Sequence, residues 1–325
     1  MAVASEQAQK QHPYRDLFAS FSIASLAAMS AVTFTNPIEV VKTRLQLQGE
    51  LVKAGTLSEA ARPYHNSFQA MKLIAKNEGF RGLQRGLGVA YIYQMCLNGS
   101  RLGLYEPVHK TLIKTFDLQS KKSKIAAGVL SGGFAGVVGA VLGSPLYLIK
   151  TRRQSYSPVF KNIGFQHEMG SSWSALRNIY RAEGFKGLYR GVGAAILRAA
   201  SGSSVQVPSY MFGKEMLMHR FGMPDTLPTH LATSMCSGFL VAIVMNPFDV
   251  ISTRMYNQGV DPVTGKGVLY SGTFDCLSKS VKAEGFRGLY KGFFAHFLRI
   301  GPHTTLMFVF MEQYKGLYQK YIKNL

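Results

Sequence analysis

Three arginines stand as lone cations in otherwise uncharged apolar stretches. Leu87 to Leu104 contains only Arg101, Gly191 to Gly213 only Arg198, and Phe293 to Met311 only Arg299, beside His296 and His303. An ion at bilayer depth is costly, so each is a functional candidate. Polar residues accompany them at helical spacing. Gln94, Asn98 and Arg101 fall at i, i+4 and i+7; His296, Arg299 and His303 at i, i+3 and i+7; Ser201 follows Arg198 by three. Such stripes face water or protein rather than lipid. Guanidinium forks converging near a membrane midplane would hold a dicarboxylate or sulfate through paired hydrogen bonds. The competing role is snorkelling or structural pairing. No uncompensated acid sits at their depth in the sequence, which favours an exogenous anion as partner.

A second constellation recurs three times. Pro37-Ile-Glu39-Val-Val-Lys42-Thr-Arg44 returns as Pro145-Leu-Tyr147-Leu-Ile-Lys150-Thr-Arg152, and again as Pro247-Phe-Asp249-Val-Ile-Ser252-Thr-Arg254. Proline removes a backbone hydrogen bond and kinks a helix, swinging its charged end inward. Glu78-Gly79 through Arg85-Gly86, Glu183-Gly184 through Arg190-Gly191, and Glu284-Gly285 through Lys291-Gly292 keep step with it.

These residues need membrane helices to position them. Leu17 to Ile38, Ile125 to Ile149 and Leu231 to Phe248 are free of charge and long enough to cross a hydrocarbon core of about 30 Å. The arginine-bearing stretches supply three more spans, which puts both termini on one side. The repeat period, roughly a hundred residues, marks three units of helix, loop with a short amphipathic helix, and helix. The short helices are expected at 67–76, 173–181 and 274–282. We divide the chain into a tail at 1–14 and repeats at 15–117, 118–222 and 223–325. The fold is therefore expected to be all-α: six membrane helices in pseudo-threefold arrangement, with three short helices on one face.

Within the repeats, Arg198 and Arg299 each follow their Gly by seven residues. The first-repeat equivalent is Tyr93, and Arg101 lies about 12 Å further along the helix. Gly128, Gly132, Gly136, Gly139 and Gly143 line the third span and allow close helix approach.

Composition excludes other classes. The 325 residues are 47% hydrophobic with net charge +20, but the Lys and Arg cluster at the ends of apolar blocks, as suits anionic lipid and anionic substrates rather than nucleic acid. Cys96, Cys236 and Cys276 are scattered and support neither disulfides nor zinc. No cofactor motif or catalytic constellation occurs, so no enzyme activity is expected. The first 15 residues make a poor transit peptide, so any organelle address is expected to be internal.

The threefold Pro-x-acid-x-x-base motif, followed by Glu-Gly and a base-Gly pair, resembles the mitochondrial carrier family (solute carrier family 25) over about residues 15 to 320. Local strings such as Asn98-Gly-Ser-Arg-Leu-Gly, Ser201-Gly-Ser-Ser-Val-Gln206 and Arg299-Ile-Gly-Pro-His-Thr304 are most similar to a fungal branch that carries oxaloacetate. The resemblance implies exchange of small anions by alternating access across the inner mitochondrial membrane, as a monomer with both termini in the intermembrane space. Oxaloacetate is the first choice, with sulfate, malonate or isopropylmalate. A dicarboxylate or oxoglutarate exchanger and an uncoupling-type proton leak are the alternatives. It implies substrate contacts at Arg198, Arg299 and Arg101; Ala199 stands where related oxo-acid carriers often have a polar residue. It implies a matrix gate pairing Glu39 with Lys150 and Asp249 with Lys42, braced by Gln46 and Gln154 with Tyr256 third; Tyr147 and Ser252 form a neutral third pair. A second gate would use Glu106 with His109, Lys214, and Glu312 with Lys315. His109 makes that gate pH-sensitive or is an ordinary surface histidine. Cardiolipin is implied near Gly86, Gly191 and Gly292.

Overall fold

A computed structural model describes residues 13–52, 62–261 and 263–323. Most of the tail at 1–14 lies outside the described residues. The chain runs as α1 (Pro13–Leu47), α2 (Ser67–Leu83), α3 (Leu87–Thr115), α4 (Lys121–Ser155), α5 (Ser172–Leu188), α6 (Val192–Arg220), α7 (Leu227–Asn257), α8 (Thr273–Glu284), a 3-10 turn (Phe286–Tyr290) and α9 (Phe293–Tyr318). Among the described residues each repeat runs long helix, short helix, long helix, as the repeat predicts.

The short helices are the main departure from expectation. α2 and α5 continue past their expected ends to Leu83 and Leu188 through non-helical breaks at Gly79 and Gly184, with φ of 67° and 65°. In repeat three the equivalent Gly285 ends α8 outright, at φ 70°. The Glu-Gly motif is thus a left-handed corner that a side chain would strain.

By length and composition, 18–47, 123–155 and 232–257 suffice to cross a membrane. The other three long helices are those that carry Arg101, Arg198 and Arg299. The burial pattern inverts that of a soluble protein. Phe34, Leu130, Phe134 and Leu142 are exposed on the outside of the bundle, whereas Lys42, Arg44, Asp249 and Arg254 are buried within it. Lipid is the matching solvent for such an exterior.

The glycines of α4 set its distance from its neighbours. A Cβ at Gly139 would meet Leu97 at 3.0 Å, one at Gly143 would meet Tyr93 at 2.8 Å, and one at Gly136 would meet Ser203 at 3.2 Å. The small-residue stripe therefore brings α3 and α6 against α4.

Candidate functional site

At one end of the bundle the first long helices of the three repeats, α1, α4 and α7, are tied together. Lys150 Nζ donates to Glu39 Oε1 at 2.7 Å, and Lys42 Nζ to Asp249 Oδ2 at 2.8 Å. All four side chains are buried. Gln46 donates to Asp249 Oδ2 at 2.8 Å and so braces that pair directly. Gln154 touches neither pair. It donates instead to Asn36, the residue before Pro37, and accepts from Thr43. Tyr256 bonds Ser144, the residue before Pro145, in the same way. These are ties between neighbouring repeats, and in that role Gln154 differs from the expected brace.

The third sector has no Tyr147–Ser252 bond. The Ser252 hydroxyl is buried with no partner among the described residues. Tyr147 instead packs with its ring tilted against Tyr93 at 5.3 Å and Tyr256 at 5.2 Å. The Arg198 guanidinium lies 4.7 Å over the Tyr147 ring. Four equivalent positions have changed together: the gate acid is Tyr147, its base Ser252, the brace Tyr256 and the arginine position Tyr93. Aromatic packing and a cation–π contact stand where the other sectors use charge.

Arg198 and Arg299 lie directly against the gate. Arg198 Nη1 is 3.9 Å from Asp249 Oδ1, and Arg299 Nη1 is 4.0 Å from Glu39 Oε1. The acids at their depth are already compensated, Glu39 by Lys150 and Asp249 by Lys42. The packing of the repeats brings the gate carboxylates up to the arginines, which linear sequence spacing does not reveal. Each arginine faces the acid of the next repeat; Tyr93 facing Tyr147 completes the series. Arg198 also donates to the Tyr93 hydroxyl at 3.3 Å.

Arg101 sits about two turns farther along α3, exposed, yet near enough to Arg198 for the two charges to interact. The three guanidiniums are therefore staggered in depth. Gln94 Nε2 meets His303 Nε2 at 3.1 Å, and His303 Nδ1 meets Thr35 at 3.2 Å. Asn98 is half-buried one turn beyond Gln94. Ala199 packs against the Tyr93–Tyr147 cluster, so it backs the arginine.

At the opposite end, no ion pair joins α3, α6 and α9 to one another among the described residues. Glu106 bonds Lys110 and Glu312 bonds Lys315, each on its own helix. Lys214 bonds Asp225 in the α6–α7 loop, a partner the sequence reading missed. His109 stacks on Tyr105 and does not pair with Glu106. These residues are present but not assembled. One end is tied by ion pairs between repeats, and among the described residues the other is not.

Sequence reasoning also missed the anchor behind the closed end. Arg44 reaches Glu78 at 2.5 and 2.9 Å, and Arg254 reaches Glu284 at 2.8 Å. These pairings hold the Glu78 and Glu284 carboxyls below the usual carboxylate range. In repeat two Glu183 bonds Arg190 instead, and Arg152 donates to the Tyr256 carbonyl. The tripled Thr-Arg and Glu-Gly strings were the signal for these ties. Gly86, Gly191 and Gly292 begin α3, α6 and α9 at φ 77°, 87° and 71°. A Cβ at Gly86 would also crowd the Lys150 carbonyl at 3.3 Å.

Three tandem helix pairs around a buried polar core, tied at one end by ion pairs between repeats, define a membrane transporter. The family described as "Mitochondrial carrier protein" matches residues 14–116, 121–221 and 224–322, and the chain belongs to that family. It is 50% identical to the mitochondrial oxaloacetate transport protein of Saccharomyces cerevisiae, over 91% of this chain and 88% of that one. It is 49% identical to mitochondrial citrate transporter E of Aspergillus niger, over 90% and 91%. It is 40% identical to solute carrier family 25 member 35 of Mus musculus, over 93% and 99%. The chain is thus a mitochondrial transporter and not an enzyme.

Proposed function

We propose that this carrier exchanges small carboxylate anions across the inner mitochondrial membrane, with oxaloacetate as first substrate and sulfate, malonate or isopropylmalate as counter-anions. The observation that carries this reading is the pair of arginines poised 3.9 and 4.0 Å from the gate acids. An incoming anion competes with Asp249 and Glu39 for Arg198 and Arg299. Binding then removes part of the electrostatic support for the closed gate, which is the differential contact that alternating access requires. Arg101, Gln94, Asn98 and His303 provide polar contacts toward the open side.

In this reading the closed end faces the matrix and both termini face the intermembrane space. Cardiolipin headgroups sit at the helix starts after Gly86, Gly191 and Gly292, where free backbone N–H groups favour phosphate. The carrier works as a monomer, since one chain contains all three sectors of the gate.

The near-equal likeness to a relative named for citrate supports a second reading, a tricarboxylate exchanger. Purified protein in liposomes, loaded in turn with oxaloacetate, sulfate, malonate, oxoglutarate and citrate, separates the two. Oxaloacetate uptake that is strongest against sulfate or malonate supports the first. Citrate uptake exceeding oxaloacetate uptake establishes the second. Proton flux without any anion would point to a leak of the uncoupling type.

A further inference from the structure

His296 is buried at the closed gate, and the gate described above gives it no role. It is fully buried on α9. Its repeat equivalents, four residues after Gly86 and Gly191, are Ala90 and Ala195, so it breaks the threefold pattern.

The hydrogen bonding fixes its tautomer. Asn246 donates its amide N–H to the Leu289 carbonyl at 2.7 Å. Its Oδ1 therefore faces His296 Nδ1 at 2.9 Å, and as an acceptor it requires Nδ1 to carry the proton. The other nitrogen, Nε2, is then a bare lone pair, buried and without a partner among the described residues. The equivalent acceptors in the other repeats are filled from the next repeat, Asn36 by Gln154 and Ser144 by Tyr256. Only in repeat three does the filling residue come from the same repeat.

That difference matters when the gate opens. Asp249 holds Lys42 and Gln46, both on α1. When repeat one separates from repeat three, both leave together. His296 Nδ1 lies 3.8 Å from Asp249 Oδ2, and the Asn246 bond keeps it in the same repeat. The charged groups around the ring are Asp249 on α7, Lys42 on α1, Arg198 on α6 and Arg299 on α9. In the closed gate three cations surround it, and an imidazolium would add a buried N–H with no acceptor. In the open gate Lys42 has gone and Asp249 is left without it. Glu39 has no such neighbour within its own repeat, because Ala90 stands at that place.

We propose that His296 takes a proton at Nε2 from matrix-side water when the matrix gate opens, and returns it to the same side when the gate closes. Opening is thereby linked to matrix acidity, and no net proton crosses the membrane. This inference rests on the carrier reading above and on its assignment of the closed end to the matrix.

The test reads gate opening without any substrate. Ser252, buried in the closed gate, is changed to cysteine in a chain whose three native cysteines are serine. Maleimide labelling from the matrix side is then compared with and without His296→Asn, which can still donate to Asn246 but cannot protonate. The ratio of the two rates cancels the intrinsic pH dependence of the thiol. It should rise by about threefold or more between about pH 8 and about pH 6, the range in which histidine titrates. A ratio constant with pH overturns the proposal. His296→Gln repeats the comparison if the Asn variant does not fold. In liposomes, sulfate exchange should depend on interior pH in the parent and lose that dependence in His296→Asn. Absence of sulfate transport would count against the anion assignment, while the labelling ratio still decides the proton link.

Discussion

Removing Lys42 should damage the closed gate far more than removing Lys42 and Asp249 together. The pair is 2.8 Å apart and both side chains are buried. At an effective dielectric of about 20, unit charges at that distance attract by about 6 kcal/mol. Desolvation costs several kcal/mol per ion, so the intact pair contributes little net stability. An orphaned buried charge does not cancel, and costs about 3–5 kcal/mol. Lys42→Ala leaves Asp249 with the Gln46 amide, Arg198 at 3.9 Å and the His296 ring at 3.8 Å. Arg198 softens the loss, which places the expected cost near 3 kcal/mol, the low end of that range. Asp249→Ala in the same molecule removes the orphan and should recover about 2 kcal/mol of it. Thermal unfolding of the four purified proteins gives the coupling energy, and exchange rates in liposomes give its functional counterpart. If the two single defects simply add in the double variant, Lys42 and Asp249 do not act as a pair and the gate assignment falls.

Three further outcomes are expected. Arg198→Ala and Arg299→Ala should each lower anion exchange at least about tenfold, or ~1.4 kcal/mol, with unchanged helix content by circular dichroism; Arg101→Ala should do so too, and wild-type exchange by folded variants would remove these residues from the binding site. Tyr147→Phe should melt within about 1 kcal/mol of the parent while Tyr147→Ala loses ~3 kcal/mol or more, because the ring rather than the hydroxyl fills the third sector; equal losses would contradict that reading. Glu50, held by the Tyr270 hydroxyl at 2.8 Å, is pushed up to about 7 by burial. A carboxyl raised on folding loses its stabilising contribution as pH rises from its unfolded value toward 7. Glu50→Gln should therefore raise melting at about pH 8 by up to ~3 kcal/mol and leave it little changed at about pH 4; an unchanged pH profile of stability would show that Glu50 does not titrate there.

The sequence by itself determined the architecture. Charge-free stretches of spanning length, a proline motif recurring in phase with Glu-Gly, and lone arginines at helical spacing depend only on periodicity and on the cost of charge in lipid. Those quantities are local, so the helices at Pro13–Leu47, Lys121–Ser155 and Leu227–Asn257 were legible in advance. The bonds of Lys150 to Glu39 and of Lys42 to Asp249 followed from the repeat symmetry once the resemblance supplied the rule.

Tertiary structure decided what faces what. Helix packing placed Asp249 beside Arg198 and Glu39 beside Arg299, a proximity between repeats that no sequence spacing encodes. It gathered Tyr93, Tyr147 and Tyr256 into one aromatic sector, where the sequence offered only missing charges. It left Glu106, Lys214 and Glu312 bound to local partners rather than to one another. It also turned His296 from one polar residue in a stripe into a buried base beside a gate carboxylate, since the tautomer of a ring depends on which carbonyl its neighbour has already bonded.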